Sequence, residues 1–105
     1  MVTVEKFNNI YGGVQAGDEL ATYQMGNFFM WGEEVENGVN IPISPVSAFV
    51  LYKKAQKYTP AKIGLAECYL DGIGTKPNKK KAIRLLQEAV ADGDLEALEM
   101  LQSLS

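Results

Sequence analysis

Two stretches of this chain can be laid over each other without a gap at a shift of forty residues, and that self-similarity restricts the fold more than any other feature. Ala21 to Gly32 reads ATYQMGNFFMWG, and Ala61 to Gly72 reads AKIGLAECYLDG. An alanine, a large aliphatic residue (Met25, Leu65), a small residue (Gly26, Ala66), an aromatic ring (Phe29, Tyr69) and a closing glycine recur at the same offsets. Spacing of i, i+4 and i+8 puts such residues on one helical face. A second pair follows each of these. Ala48 to Ala55 (AFVLYKKA) matches Ala82 to Ala89 (AIRLLQEA) through Ala48/Ala82, Leu51/Leu85, Tyr52/Leu86 and Ala55/Ala89. The unit is an A helix, a loop and a B helix. A unit repeated in this way predicts stacked helix pairs in place of one closed core.

The punctuation agrees with that division. Ser44-Pro45 offers a cap and a first-turn proline for the first B helix, and Thr59-Pro60 the same for the second A helix. Asn78 can cap the second B helix, while Gly72, Ile73 and Gly74 stop the helix before it. Gly93-Asp94 breaks the chain ahead of a last helix, Leu95 to Leu104, which repeats the A pattern through Ala97 and Leu101. At the front, Phe7, Ile10 and Val14 match Ile83, Leu86 and Val90, so residues 3–14 read as a degenerate B-type helix weakened at its end by Gly12-Gly13. The expectation is one domain over 1–105, containing that N-terminal helix, a first repeat over 18–58 with a long loop at 33–44, a second repeat over 60–92, and a capping helix over 94–104. It is all-α, with about six helices and half-repeats at both ends.

These residues resemble the Sel-like repeat, a relative of the tetratricopeptide repeat. The second unit carries Ala61, Leu65, Ala66, Tyr69, Gly72, Gly74, Asn78, Lys81, Ala82 and Ala89 at the family's motif positions, and the first carries Ala21, Met25, Gly26, Phe29, Gly32, Ala48, Tyr52, Lys54 and Ala55. The likeness covers roughly residues 16–102. It implies a right-handed α-solenoid of antiparallel helix pairs that serves as a protein-interaction scaffold, with A helices on its concave side and B helices on its convex side. The first unit departs from the pattern in its loop: Gly32 to Ala48 spans 16 residues, against 10 from Gly72 to Ala82, and Ser44 stands where the family prefers aspartate.

Chemistry is scarce. The chain has no histidine, which removes the commonest general base and metal ligand. Cys68 falls where the repeat places an apolar residue, and reads as a small buried hydrophobe. Glu33, Glu34 and Glu36 lack the alternating ligand spacing of a calcium loop and read as a solvated acidic loop. No strand pattern is seen, so nucleotide-loop motifs have no context. The reading is therefore non-enzymatic, with no catalytic residue, cofactor, metal or small-molecule substrate. No segment has the ~18 consecutive apolar residues of a membrane span, and the first residues do not read as a signal peptide. One cysteine permits no internal disulfide and fits a reducing compartment, so the cytoplasm is expected.

The net charge of −3 hides a segregation: residues 1–50 carry −5, residues 51–84 carry +7, and residues 85–105 carry −5. Lys53, Lys54, Lys57, Lys62, Lys76, Lys79, Lys80, Lys81 and Arg84 make up the basic block. Phosphate binding wants such density, but the sequence pI is near 4.9 and no aromatic residues interleave with the lysines, so nucleic acid is a disfavoured partner. The aromatic cluster points elsewhere. Met25, Phe28 and Phe29 fall with Ala21 on one face, whereas Tyr23, Asn27, Met30 and Trp31 fall on others; Ile63, Glu67, Leu70 and Asp71 match the latter in the second A helix. Trp, Tyr and Met are enriched at binding hot spots. Either these side chains line a groove, or an N-terminal helix carrying Phe7, Ile10 and Tyr11 covers them. The candidate protein-binding set is Tyr23, Asn27, Met30, Trp31, Glu33, Glu34, Glu36, Glu67 and Asp71, with another protein (a peptide, a helix or a basic toxin-like surface) as partner. A general adaptor and a dedicated one-to-one inhibitor or immunity protein against a basic toxin both fit.

Overall fold

Polar residues ahead of the apolar stripe decide where five of the six helices begin. In the computed structural model, which describes residues 1–104, six α-helices follow one another: α1 (Val4–Gln15), α2 (Glu19–Trp31), α3 (Pro45–Lys54), α4 (Thr59–Asp71), α5 (Lys79–Ala91) and α6 (Leu95–Leu104). Thr3, Asp18, Asn78 and Asp94 accept the N–H groups of Lys6, Ala21, Lys81 and Ala97 at 2.9–3.1 Å, so four helices start on a side-chain cap. Ser44 does the same for α3 at a looser 3.4 Å. Consecutive helices pack as antiparallel neighbours along a body of 46 × 24 × 19 Å, the elongated outline of a short solenoid.

Three expectations need correction. Thr59 is not the cap of α4: it is the first helical residue, and Tyr58 ahead of it makes no side-chain cap. The Thr59 hydroxyl instead donates to Asp92 Oδ2 at 2.8 Å, where Lys62 Nζ also donates at 2.8 Å, so the start of α4 is fastened to the end of α5. The N-terminal helix does not stop at residue 14, since α1 runs through Gly12-Gly13 to Gln15. A methyl group at Gly13 would lie 2.6 Å from the Ala21 side chain, so the missing side chain lets α1 close on α2. Finally, the 33–44 segment is not a plain solvated loop and the chain is not free of strands. Glu33–Glu34 (β1) pairs antiparallel with Asn40–Ile41 (β2), and Val2 forms a parallel bridge to Val35.

The core is divided to match. The largest cluster joins α3, α4, α5 and α6 through Tyr52, Leu65, Cys68, Tyr69, Leu86 and Ala97. A second, between α1 and α2, holds Ile10, Ala21 and Met25, and a third beneath the hairpin holds Val2, Val35 and Ile41. Phe29 packs against all three, and ties the first repeat to both neighbours.

Candidate functional site

The A helices α2 and α4, with the start of α6, form the walls of one concavity of about 200 Å³. From α2 come Tyr23, Asn27, Met30 and Trp31; from α4 come Pro60, Ile63, Gly64 and Glu67; Asp94 and Glu96 close the far side. Its floor is a residue of a B helix. Tyr52 of α3 passes between α2 and α4, where added methyl groups at Gly26 and Gly64 would lie 2.8 and 3.2 Å from its ring. Its hydroxyl donates to Asn27 Oδ1, which fixes the Asn27 amide at the edge of the concavity. Burial, assisted by the neighbouring Tyr23, holds the Tyr52 phenol well above its ordinary range, so it stays a donor. Tyr23 is held in turn between Tyr52 (centroids 5.8 Å apart) and Tyr58 (5.4 Å, edge to face).

Of the nine residues singled out from sequence, the structure brings together Tyr23, Asn27, Met30, Trp31 and Glu67. Trp31 is 73 % exposed, while α1 directs Ile10 and Phe7 onto Ala21, Met25 and Phe28 instead. The N-terminal helix therefore leaves this tryptophan uncovered. The other four residues are placed differently. Asp71 lies exposed at the end of α4, outside the concavity. Glu33 and Glu34 form β1, half-buried and exposed respectively. The Glu36 carboxylate accepts the Val4 N–H at 3.0 Å and is occupied in capping α1.

Sequence reasoning missed Tyr52, Pro60, Gly64, Asp94 and Glu96. A usable signal for Tyr52 was the pair of mid-helix glycines, Gly26 and Gly64, which leave a slot for a ring. Asp94 read as part of a helix break and Glu96 carried no reading of its own, and only the placement of the start of α6 against this hollow brings them to the site.

The electrostatics of the concavity are one-sided. Glu67, Asp94 and Glu96 are acidic, and none of its described lining residues is basic. Burial, with the like charges of Glu96 and Asp71 beside it, raises the Glu67 carboxyl above its ordinary 4.5. Asp94 is partly committed, since it accepts the Ala97 N–H. Cys68 offers no chemistry here: it is fully buried, and that burial, with Glu67 and Asp71 nearby, pushes the thiol up to about 11.

The opposite side of the solenoid is basic. Lys53, Lys81 and Arg84 of α3 and α5, with a single acid, Glu88, line a second hollow of about 270 Å³ over the buried Tyr69. Lys81 Nζ sits 5.4 Å from the Tyr69 ring centroid and Lys53 Nζ 6.0 Å from that of Phe49. Both rings serve the core at α3 and α4 and also carry a cation above them.

Comparison with known proteins agrees with the helix pairs. A family model described as the Sel1 repeat matches residues 20–55 and again residues 59–94. Among solved structures, the chain is similar to one titled "Crystal structure of Sel1 repeat protein from Oxalobacter formigenes", with 28 % identity and a TM-score of 0.80. The match covers 91 % of this chain and 27 % of that one, so the chain spans little more than a quarter of its neighbour's length. No curated protein matches the sequence.

Proposed function

This chain belongs to the Sel1 repeat family, whose repeats generally mediate protein–protein interaction, and from that premise we propose that it binds a partner protein through the concavity of its A helices. The observation that carries this reading is Trp31, a large hydrophobic side chain left 73 % exposed at the rim of a tyrosine-lined hollow. Isolated exposed apolar residues need no explanation, but a tryptophan beside a concavity with ordered tyrosines has the composition of a binding hot spot. The hairpin follows α2 directly in the chain. The scaffold supplies no histidine, and the family is a non-enzymatic one.

A second reading is a dedicated one-to-one inhibitor of a basic partner. It is favoured by the Val2–Val35 bridge and the Glu36–Val4 contact, which stiffen the hairpin into an element that can insert without ordering on arrival. The basic B-helix side supports nucleic-acid binding less well, because Tyr69 and Phe49 lie beneath their lysines instead of offering free faces for stacking. A cytoplasmic location belongs to the same proposal and rests on the lone buried thiol.

The test is affinity capture with the wild-type chain and Trp31→Ala in parallel, at low and moderate salt. Trp31→Ala is expected to lose the partner while its thermal midpoint stays nearly unchanged. Retention of the partner by Trp31→Ala would refute the concave reading. A single stoichiometric basic partner favours the inhibitor, and several weaker ones favour an adaptor.

A further inference from the structure

The structure assigns the concavity a specific occupant: the guanidinium of an arginine, presented by a basic segment of the partner protein and held between the aromatic wall of α2 and the carboxylates of α4 and α6. This inference deepens the preceding proposal and rests on its concave docking. Three observations carry it. The hollow is about 200 Å³, room for the end of one long side chain and too small for a helix. One wall is aromatic: Tyr23 is fixed by its contacts to Tyr52 and Tyr58, and Trp31, two turns further along α2, lines the same hollow with its side chain exposed. Such ring faces attract a planar delocalised cation, and Arg stacks on them better than Lys. The facing wall is acidic, with Glu67, Asp94 and Glu96 unmatched by any basic lining residue.

The desolvated Glu67 shows what an occupant would relieve. Its carboxyl is held above the ordinary range by burial and by Glu96 and Asp71. A guanidinium placed there replaces lost hydration with N–H donors and offsets the repulsion between the carboxylates. A neutral polar side chain does the first in part and the second not at all. An acidic side chain would worsen both. The edge of the hollow carries a further acceptor, the Asn27 amide oxygen, already oriented by Tyr52. The planar cation therefore meets ring faces, carboxylates and one amide oxygen in a single small space.

The experiment is an NMR titration of the whole ¹⁵N-labelled chain with a capped heptapeptide, Gly-Ser-Gly-Arg-Gly-Ser-Gly, and its citrulline and lysine counterparts. The Trp31 indole N–H, the Asn27 side-chain amide and the Gly64 backbone amide report the concavity; Arg84 and Leu85 report the basic side. The arginine peptide is expected to give saturable shifts at the first three, with citrulline about tenfold or more weaker, because it keeps the shape and loses the charge. Glu67→Gln and Glu96→Gln are expected each to weaken the arginine peptide several-fold and leave the citrulline peptide unaffected. Equal affinity for citrulline, equal affinity for lysine, or absence of shifts at the concavity would overturn the assignment. These outcomes separate cleanly from the preceding proposal. If the arginine peptide fails while Trp31→Ala still loses the captured partner, the guanidinium assignment falls and concave docking stands.

Discussion

Tyr52 illustrates how one residue can belong to the core and to the site together. It is 3 % exposed, yet its edge forms the floor of the concavity and its hydroxyl orients Asn27. Gly26→Ala tests that arrangement, since the added methyl would meet the Tyr52 ring at 2.8 Å. It is expected to lower stability by roughly 1–3 kcal/mol, the range for overpacking, measured by urea unfolding. Glu67 makes the opposite prediction. Its carboxyl is raised in the folded chain, so between the ordinary 4.5 and that higher value the folded state holds more protons than the unfolded one. Stability from this group is therefore present at low pH and is lost as pH rises through the window. Glu67→Gln should stabilise the chain at neutral pH, with the gain vanishing below about pH 4. A gain that persisted unchanged at low pH would mean that the substitution acts through packing.

At the scale of elements, the helices were legible and the hairpin was not, for a physical reason. An amphipathic stripe repeated over ten or more residues accumulates evidence with every turn. Two strands of two residues each carry no period at all, and their burial rests on Val35 and Ile41 together with the distant Val2. A local signal existed in Asn37-Gly38: Gly38 adopts a φ of +76°, and Val35 N–H donates to Val39 O at 2.8 Å across the turn. The acidic neighbours Glu33, Glu34 and Glu36 drew the segment toward a solvated reading. Val35→Asp would place a charge in the small cluster shared with Val2 and Ile41. Hydrogen exchange should then show the first turn of α1 opening, while the amides of α4 and α5 keep their protection. Loss of protection throughout α4 and α5 would show that the hairpin supports the entire solenoid.

At the scale of the whole molecule, the repeat made the stacking of helix pairs readable, because alanines such as Ala48, Ala61, Ala82 and Ala89 reach complete burial only where helices pack closely. The concavity was readable only by halves. Its α2 side, from Tyr23 to Trp31, followed from helical spacing, whereas its α6 side depended on contacts between residues far apart in the chain. The principal core is continuous from α3 to α6, so damage at its centre is felt along most of the solenoid. Tyr69, 6 % exposed and edge-to-face with Phe49 at 5.5 Å, lies at that centre. Tyr69→Ala is expected to lower stability by roughly 3–5 kcal/mol in thermal or urea unfolding. A neutral result would place the ring outside the core.

The parallel bridge at Val2 also imposes an order in time. Its partner Val35 is added 33 residues later, a delay of roughly two to seven seconds at ordinary rates of synthesis. Isolated helices form and melt in about a microsecond or less, so α1 samples its folded shape a great many times before Val35 can bridge to it. The carboxylate that caps its first turn, on Glu36, arrives only with that same segment. This latch is therefore retrospective: the bridge and the Glu36 contact reach α1 only after α2, the helix that follows it, has been completed.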